Sequence, residues 1–521
     1  MWRVVVVAGG YLAAAALVTW PLATGMTSRP GALEGTGGPY LNLIFLTASL
    51  AASGAAMHVL ALAVTGSAAG AWLAGLAWAC WPYRTAHLLH LQLQALYLMP
   101  LALWALTRVA ARRRWRDTVL LGLATGLQAV ASVSYGVMTA VALATAAPVL
   151  GWTTGQWCAS RYWTRVAGGG ALAALIVLPV AVPNWRAPAA EGPGRPLYEA
   201  SNHAASLRSY AQVPPDNLVY GRTGMLTPRP PTAGERDRRD VEHQMFPGLV
   251  LVGLAGWGLW VGWRSDARPL TATAAALVAT GLWLSAGPEG PLGLYRALVA
   301  HAPGFDAIRA PARFGVVALL GAALLAALGL ARLVAARPRR GQALAVLLIS
   351  AMVVEYVNAP LAFVEAPVTD TAVGRWLAAA PEPGAVFYLP IGLDSENTPY
   401  MVEALQHGRP IVNGYSGQRP SSYSAIVESF STLPGADGLV MLRELGVRFV
   451  VWFGDAVIFE VRWTPESEAA LSEAAVGPAP PLAWPRGITM WISADARRVP
   501  VCVDLADGFG RVRVELVDYR P

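Results

Sequence analysis

Arg84, His87 and His90 recur every three residues in the stretch Pro82-Tyr83-Arg84-Thr85-Ala86-His87-Leu88-Leu89-His90, with Gln92 and Gln94 close behind. On a helix the three would share one broad face. An arginine offers a planar fork to two phosphate oxygens, and a histidine offers a donor whose charge changes near neutral pH, so the trio suits the phosphate of a lipid carrier. The same side chains suit a plainer role, reaching from a helix end to lipid headgroups. Arg309 and Arg313 lie four apart, with Pro311 between them at an expected helix start. That spacing puts two guanidinium groups on one side near a helix N-terminus, where both features attract phosphate, and headgroup anchoring again explains them equally well. Glu355 stands in the outer half of the last apolar run, where a carboxylate is costly unless it is paired or faces water. It is therefore a functional candidate, or the partner of an outer arginine.

The elements that must position these groups are apolar helices. Of the 521 residues, 55% are hydrophobic and 14% charged, and the mean hydropathy is +0.44. Soluble domains carry nearer a quarter charged residues, so much of this surface is expected to face lipid. Apolar runs of roughly spanning length occur at about 2–24, 40–64, 68–82, 93–108, 118–133, 136–152, 166–183, 246–263, 269–286, 314–335 and 342–361. The first opens with Arg3 ahead of its apolar stretch and could be a signal peptide, but its length and the absence of a clear small-x-small cleavage site favour a retained helix.

The net charge of +7 rests on arginine alone, because the chain contains no lysine. The arginines sit in short clusters between the apolar runs: Arg112, Arg113, Arg114 and Arg116, then Arg161 and Arg165, then Arg264 and Arg268, then Arg337, Arg339 and Arg340. Clusters in short loops mark the cytoplasmic face of a membrane protein and not a nucleic-acid groove. This pattern predicts a multi-pass protein of the cell membrane with a cytoplasmic N-terminus. About eleven crossings then leave everything after Leu361 outside. The expected domains are a polytopic transmembrane domain over 1–363 and an extracytoplasmic α/β domain over 364–521.

The tail supports an α/β reading. Ala385 to Ile391 and Val447 to Phe453 have strand length and composition, Leu439 to Leu445 reads as a helix closed by Gly446, and further strands are expected at 487–493, 498–504 and 511–517. Two long outside connections, 184–245 and 287–313, are the other polar segments. The first carries Glu191, Glu199, Asp216, Glu235, Asp237, Asp240 and Glu242, and a connection that long is usually functional or disordered. Walker, G-x-S-x-G, H-E-x-x-H and paired C-x-x-C signatures are missing, and Cys80, Cys158 and Cys502 match no metal-ligand spacing. An ATP-driven pump or a zinc protease of the usual kinds is thereby set aside, and no metal or cofactor is named by the sequence.

Several short stretches in order resemble the bacterial polytopic membrane proteins with a GT-C-like glycosyltransferase fold, including the uncharacterised branch with a C-terminal extracytoplasmic domain. They are Gly38-Pro39-Tyr40-Leu41-Asn42-Leu43, Ala74-Gly75-Leu76-Ala77-Trp78 with Pro82-Tyr83-Arg84, Leu98-Met99-Pro100-Leu101, Arg309-Ala310-Pro311-Ala312-Arg313-Phe314, and Val412-Asn413-Gly414-Tyr415-Ser416-Gly417 followed by Pro420. The resemblance implies transfer of a sugar from a polyprenyl-phosphate donor outside the membrane, with an acidic residue of the first outside loop as base or metal ligand. Here that loop, about 25–39, is short, and its only acid is Glu34, which would have to act as the base. The expected site is then Glu34 as catalytic residue, with Arg84, His87, Arg309 and Arg313 on the lipid phosphate and Glu355 and His90 as further candidates. The resemblance thus implies a GT-C-like membrane glycosyltransferase or an inactive relative of one, and a non-catalytic protein of lipid or polysaccharide export or assembly is the alternative. Membrane lipid is an expected partner in both cases, and nucleic acid in neither.

Overall fold

A computed structural model describes residues 2–18, 38–88, 90–112, 114–186, 197–221, 241–358, 370–392, 395–414, 421–431, 436–452, 457–463, 487–492, 500–507 and 510–519. The chain divides into two compact units, one holding the helices up to Tyr356 and the other the helices and strands from Ala372 onward.

Every one of the apolar runs forms a helix: α1 Trp2–Val18, α2 Gly38–Thr65, α3 Ala68–Cys80, α4 Leu98–Arg112, α5 Trp115–Ala131, α6 Val133–Thr153, α7 Ser160–Arg186, α8 Leu249–Trp263, α9 Arg268–Ser285, α10 Gly315–Ala336 and α11 Pro338–Tyr356. Four stretches are long and apolar enough to cross a membrane, Phe45–Thr65, Val133–Thr153, Ser160–Pro183 and Pro311–Ala336, and they make this a membrane protein. Others are shorter. The 13 residues of α3 rise only about 20 Å, against a hydrocarbon core of roughly 30 Å.

The central helix is α10. The span containing it is 89% buried, and α3, α8 and α9 pack directly against it. Small residues permit this close approach. A Cβ added at Gly258 of α8 would collide with the Leu325 carbonyl, one at Gly281 of α9 with the Ala318 backbone, and one at Gly70 of α3 with the Ala327 carbonyl. Glycine at such crossings lets backbones touch, which is how apolar helices associate where lipid supplies no hydrophobic drive between them.

One end of this bundle carries the described parts of the long connections. Segment 206–212 is pinned to segment 243–246 by the amides of Met245 and Phe246, which donate to the carbonyls of Ser209 and Gln212 at 3.0 Å each. Trp81 Nε1 then donates to the Phe246 carbonyl at 3.0 Å. At the end of α11, Asn358 Nδ2 donates to Thr85 Oγ1 at 2.5 Å, and Asn217 Nδ2 donates to Asn358 Oδ1 at 3.1 Å.

The second unit has helices α12 Ala372–Ala379, α13 Thr398–His407, α14 Ser421–Ser431 and α15 Ala436–Glu444, with strands β1 Ala385–Leu389, β2 Val447–Trp452, β3 Val457–Trp463, β4 Gly487–Ile492, β5 Pro500–Asp507 and β6 Gly510–Tyr519. The sheet order is β1-β2-β3-β6-β5-β4. The β1–β2 pair is parallel and the other pairs are antiparallel. A parallel pair needs a long crossover, and α13 to α15 supply it. Gly446, at φ 63°, turns the chain from α15 into β2, a left-handed position that suits glycine. The strand read at 385–391 ends two residues early, and β3 is a strand that the sequence reading does not contain.

Candidate functional site

The site is assembled by three proline- or loop-bounded segments at the end of the bundle just described. Trp81 holds an extended ψ of 130° before Pro82, so α3 stops and a separate short helix, Pro82–Ala86, begins. His87 terminates that helix, so the expected single helical face of Arg84, His87 and His90 is not built. Ala310 is likewise extended before Pro311, and the tight turn Pro311–Phe314 leads into α10. Between them in sequence, Val241–His243 brings in Glu242.

Glu242 is the centre of the arrangement, and it is 5% exposed. Its Oε1 accepts from Arg313 Nε at 2.9 Å and Nη2 at 2.5 Å, while its Oε2 accepts from the Tyr83 hydroxyl. The Nε2 of His87, itself buried, lies 3.4 Å from Oε2. That contact is off hydrogen-bond geometry, for Nε2 has no hydrogen-bond partner. Because the Tyr83 carbonyl can only accept, the 2.8 Å contact from His87 Nδ1 places a proton on that nitrogen. Burial alone would push the Glu242 carboxyl up, but His87 and Arg313 outweigh it and hold the group well below the usual carboxylate range. Burial, then the Glu242 charge, pushes the Tyr83 hydroxyl well above its ordinary value. The centre is thus a carboxylate locked as an anion against a guanidinium, with phenol and imidazole completing its shell.

The rim is more open. His90 is exposed, and its ring lies 5.7 Å from that of His87. The partial burial of its ring first, then the proximity of His87 and of the Arg313 and Arg309 guanidinium groups, lowers its proton affinity. Arg309 is 38% exposed and its Nε lies 3.0 Å from Oε1 of Glu199, which is 26% exposed.

Among the expected site residues, the structure brings His87 and Arg313 together around Glu242 and keeps His90 and Arg309 nearby. Arg84 turns inward instead. It is 1% exposed, and its Nη1 and Nη2 donate to the carbonyls of Trp78 at 3.1 Å and Gln94 at 2.7 Å. Gln94 returns the link by donating to the His87 carbonyl at 2.8 Å. Glu355 sits elsewhere, accepting from the amides of Leu249 and Val250 at 3.2 Å each and from the Tyr220 hydroxyl at 2.5 Å. It caps α8 from another helix. Glu34 lies outside the described residues. Among the described residues, no three His, Cys, Asp or Glu converge to hold a metal ion. Sequence reasoning counted Glu242 among the loop acids without singling it out. Its neighbours come from positions 83, 87 and 313, and no local spacing connects them.

No family model and no curated protein matches the sequence. Among solved structures, the chain is similar to the arabinofuranosyltransferase AftD from Mycobacteria, with 15% identity, 94% of this chain and 34% of that chain covered, and a TM-score of 0.49. A mutant of the same enzyme gives 14% identity, 94% and 36% coverage, and a TM-score of 0.49. This chain spans about a third of the length of those structures.

Proposed function

We propose that this chain is a GT-C-like membrane glycosyltransferase, moving a sugar from a polyprenyl-phosphate donor at the extracytoplasmic ends of its helices. In this reading residues 1–363 form a polytopic domain of about eleven crossings with the N-terminus in the cytoplasm, and residues 364–521 form an extracytoplasmic α/β domain. One observation carries the proposal. At one end of an apolar bundle, three separate segments gather Arg309, Arg313, His87, His90 and a buried carboxylate into a single cluster. A lipid phosphate approaching from the bilayer meets Arg309 and His90 first, since these are the exposed members. Arg313 and His87 stand behind them, oriented by Glu242. Glu34 is proposed as the base.

A second reading, a non-catalytic protein of lipid or polysaccharide export or assembly, is favoured by one specific observation. Glu242 commits its oxygens to Arg313 and Tyr83, so it is a weak base and cannot replace Glu34.

The test is binding of a polyprenyl-phosphate analogue to the purified chain, together with sugar transfer from a panel of polyprenyl-phosphate sugars. Arg309→Ala should weaken binding about tenfold to a hundredfold, the worth of one charge-assisted contact, with little change in melting. Unchanged binding would sink the phosphate site. Binding without transfer by the wild-type chain supports the second reading, and transfer abolished by Glu34→Gln supports the first.

A further inference from the structure

At the opposite end of the bundle, among the arginine clusters, lies a cavity of about 420 Å³. That is within the roughly 300–1,000 Å³ of small-molecule sites. It is lined by α2, α4, α6, α9 and α10, with Leu103 and Ala111 both contributed by α4. Eight residues of helix separate those two, so the wall is about 12 Å long. Its lining is graded. Leu60, Leu103 and Leu324 form the inner part, whereas Thr154 and Gln156 belong to the turn that ends α6. Gln156 Oε1 is shielded from solvent and accepts no hydrogen bond, which leaves an acceptor for a ligand donor.

Two arginines adjoin the lining in sequence. Arg112 follows the lining residue Ala111, and Arg268 precedes the lining residue Pro269. Both are exposed, and neither has an ion-pair partner among the described residues. Nearby acids are already engaged: Asp117 with Arg108 at 2.6 Å and Asp266 with Arg332 at 2.5 Å. Exposed tryptophans accompany the arginines, with Arg165 stacked 3.5 Å over Trp115 and Arg264 4.8 Å over Trp260. Tryptophan and arginine together mark the headgroup level of a bilayer.

We infer that this cavity binds an anionic phospholipid of the leaflet facing the arginine clusters, with an acyl chain among Leu60, Leu103 and Leu324 and the phosphate between Arg112 and Arg268. The apolar depth, the polar mouth and the uncompensated positive charge match such an amphiphile part by part. The site is at the other end of the bundle from Glu242 and is independent of the proposed transfer reaction.

The experiment is native mass spectrometry of the purified full chain with added phosphatidylglycerol or phosphatidylcholine. Wild type should retain one phosphatidylglycerol at least tenfold more tightly than phosphatidylcholine. Ala111→Trp adds bulk at an exposed mouth position and should abolish that preference, with the melting temperature unchanged. The double variant Arg112→Gln, Arg268→Gln should weaken phosphatidylglycerol tenfold or more and leave phosphatidylcholine as it was. Equal retention of the two lipids, or a preference that survives both variants, would overturn the inference and reduce the contact to ordinary surrounding lipid.

Discussion

A single buried carboxylate decides how the candidate site behaves. Glu242 and Arg313 are 7% and 13% exposed in their side chains and share a close contact, so removing one charge strands the other. Glu242→Gln keeps the shape but leaves the Arg313 guanidinium uncompensated, at a cost of about 3–5 kcal/mol, whereas adding Arg313→Met to it should recover most of the loss. The pH dependence has a definite sign. The folded carboxyl titrates well below its ordinary value of 4.5, so its contribution is present above about pH 4.5 and is lost as pH falls toward the folded value. Thermal unfolding of the detergent-solubilised chain should therefore show wild type and Glu242→Gln far apart at neutral pH and converging in acid. A gap that stays constant with pH would mean that the ion pair is not what Glu242 contributes. Arg313 was legible in the sequence as a cation before a helix start. Its partner was not, because Glu242 is 71 residues away in a loop whose other acids look the same.

At the scale of elements, Glu355 shows how a carboxylate near the end of an apolar helix can be explained by structure alone. The start of α8 has orphan amides, and Gly248, at φ 89°, offers no side chain to cap them. Glu355 of α11 takes two of these amides, and the anion also sits well at the positive end of the helix. Through Tyr220 and Asn217 the same residue fastens segment 217–221 to α11. Glu355→Ala should consequently free the amides of residues 249–251 to exchange hydrogen much faster, while amides in the middle of α10 stay protected; equal protection in the variant would refute the cap. All of the apolar helices were visible as hydrophobic runs, because a run of that length and composition has few other stable forms. The short helix Pro82–Ala86 was not, since proline at its start and the Asn358 bond to Thr85 set its limits from outside. In the second unit, Gly446 made the turn from α15 into β2 readable. The strand β3 carries Glu460 and Arg462 among its apolar residues, which weakens the signal of a strand and left it unread.

For the whole molecule, the two ends of the bundle differ in charge, and this asymmetry gives the topology proposal its physical basis. Arginines concentrate where α4 meets α5, α6 meets α7, α8 meets α9 and α10 meets α11, whereas Glu199, Glu242, Glu289 and Glu355 stand at the other end. Arginine in short loops resists translocation, so the arginine-rich end should remain in the cytoplasm. A native reporter exists at that end, because Cys158 is free and exposed in the connection between α6 and α7, while Cys80 is buried. With Cys502 replaced by serine, a membrane-impermeant maleimide applied to intact cells should leave Cys158 unmodified and react with it only after permeabilisation. Leu405→Cys, at an 84% exposed position of α13, should react in intact cells, because the proposed topology puts the second unit outside. Reaction of Cys158 from outside would invert the orientation. Protection of Leu405→Cys together with protection of Cys158 would instead require an even number of crossings between α7 and α13, and would place the second unit in the cytoplasm.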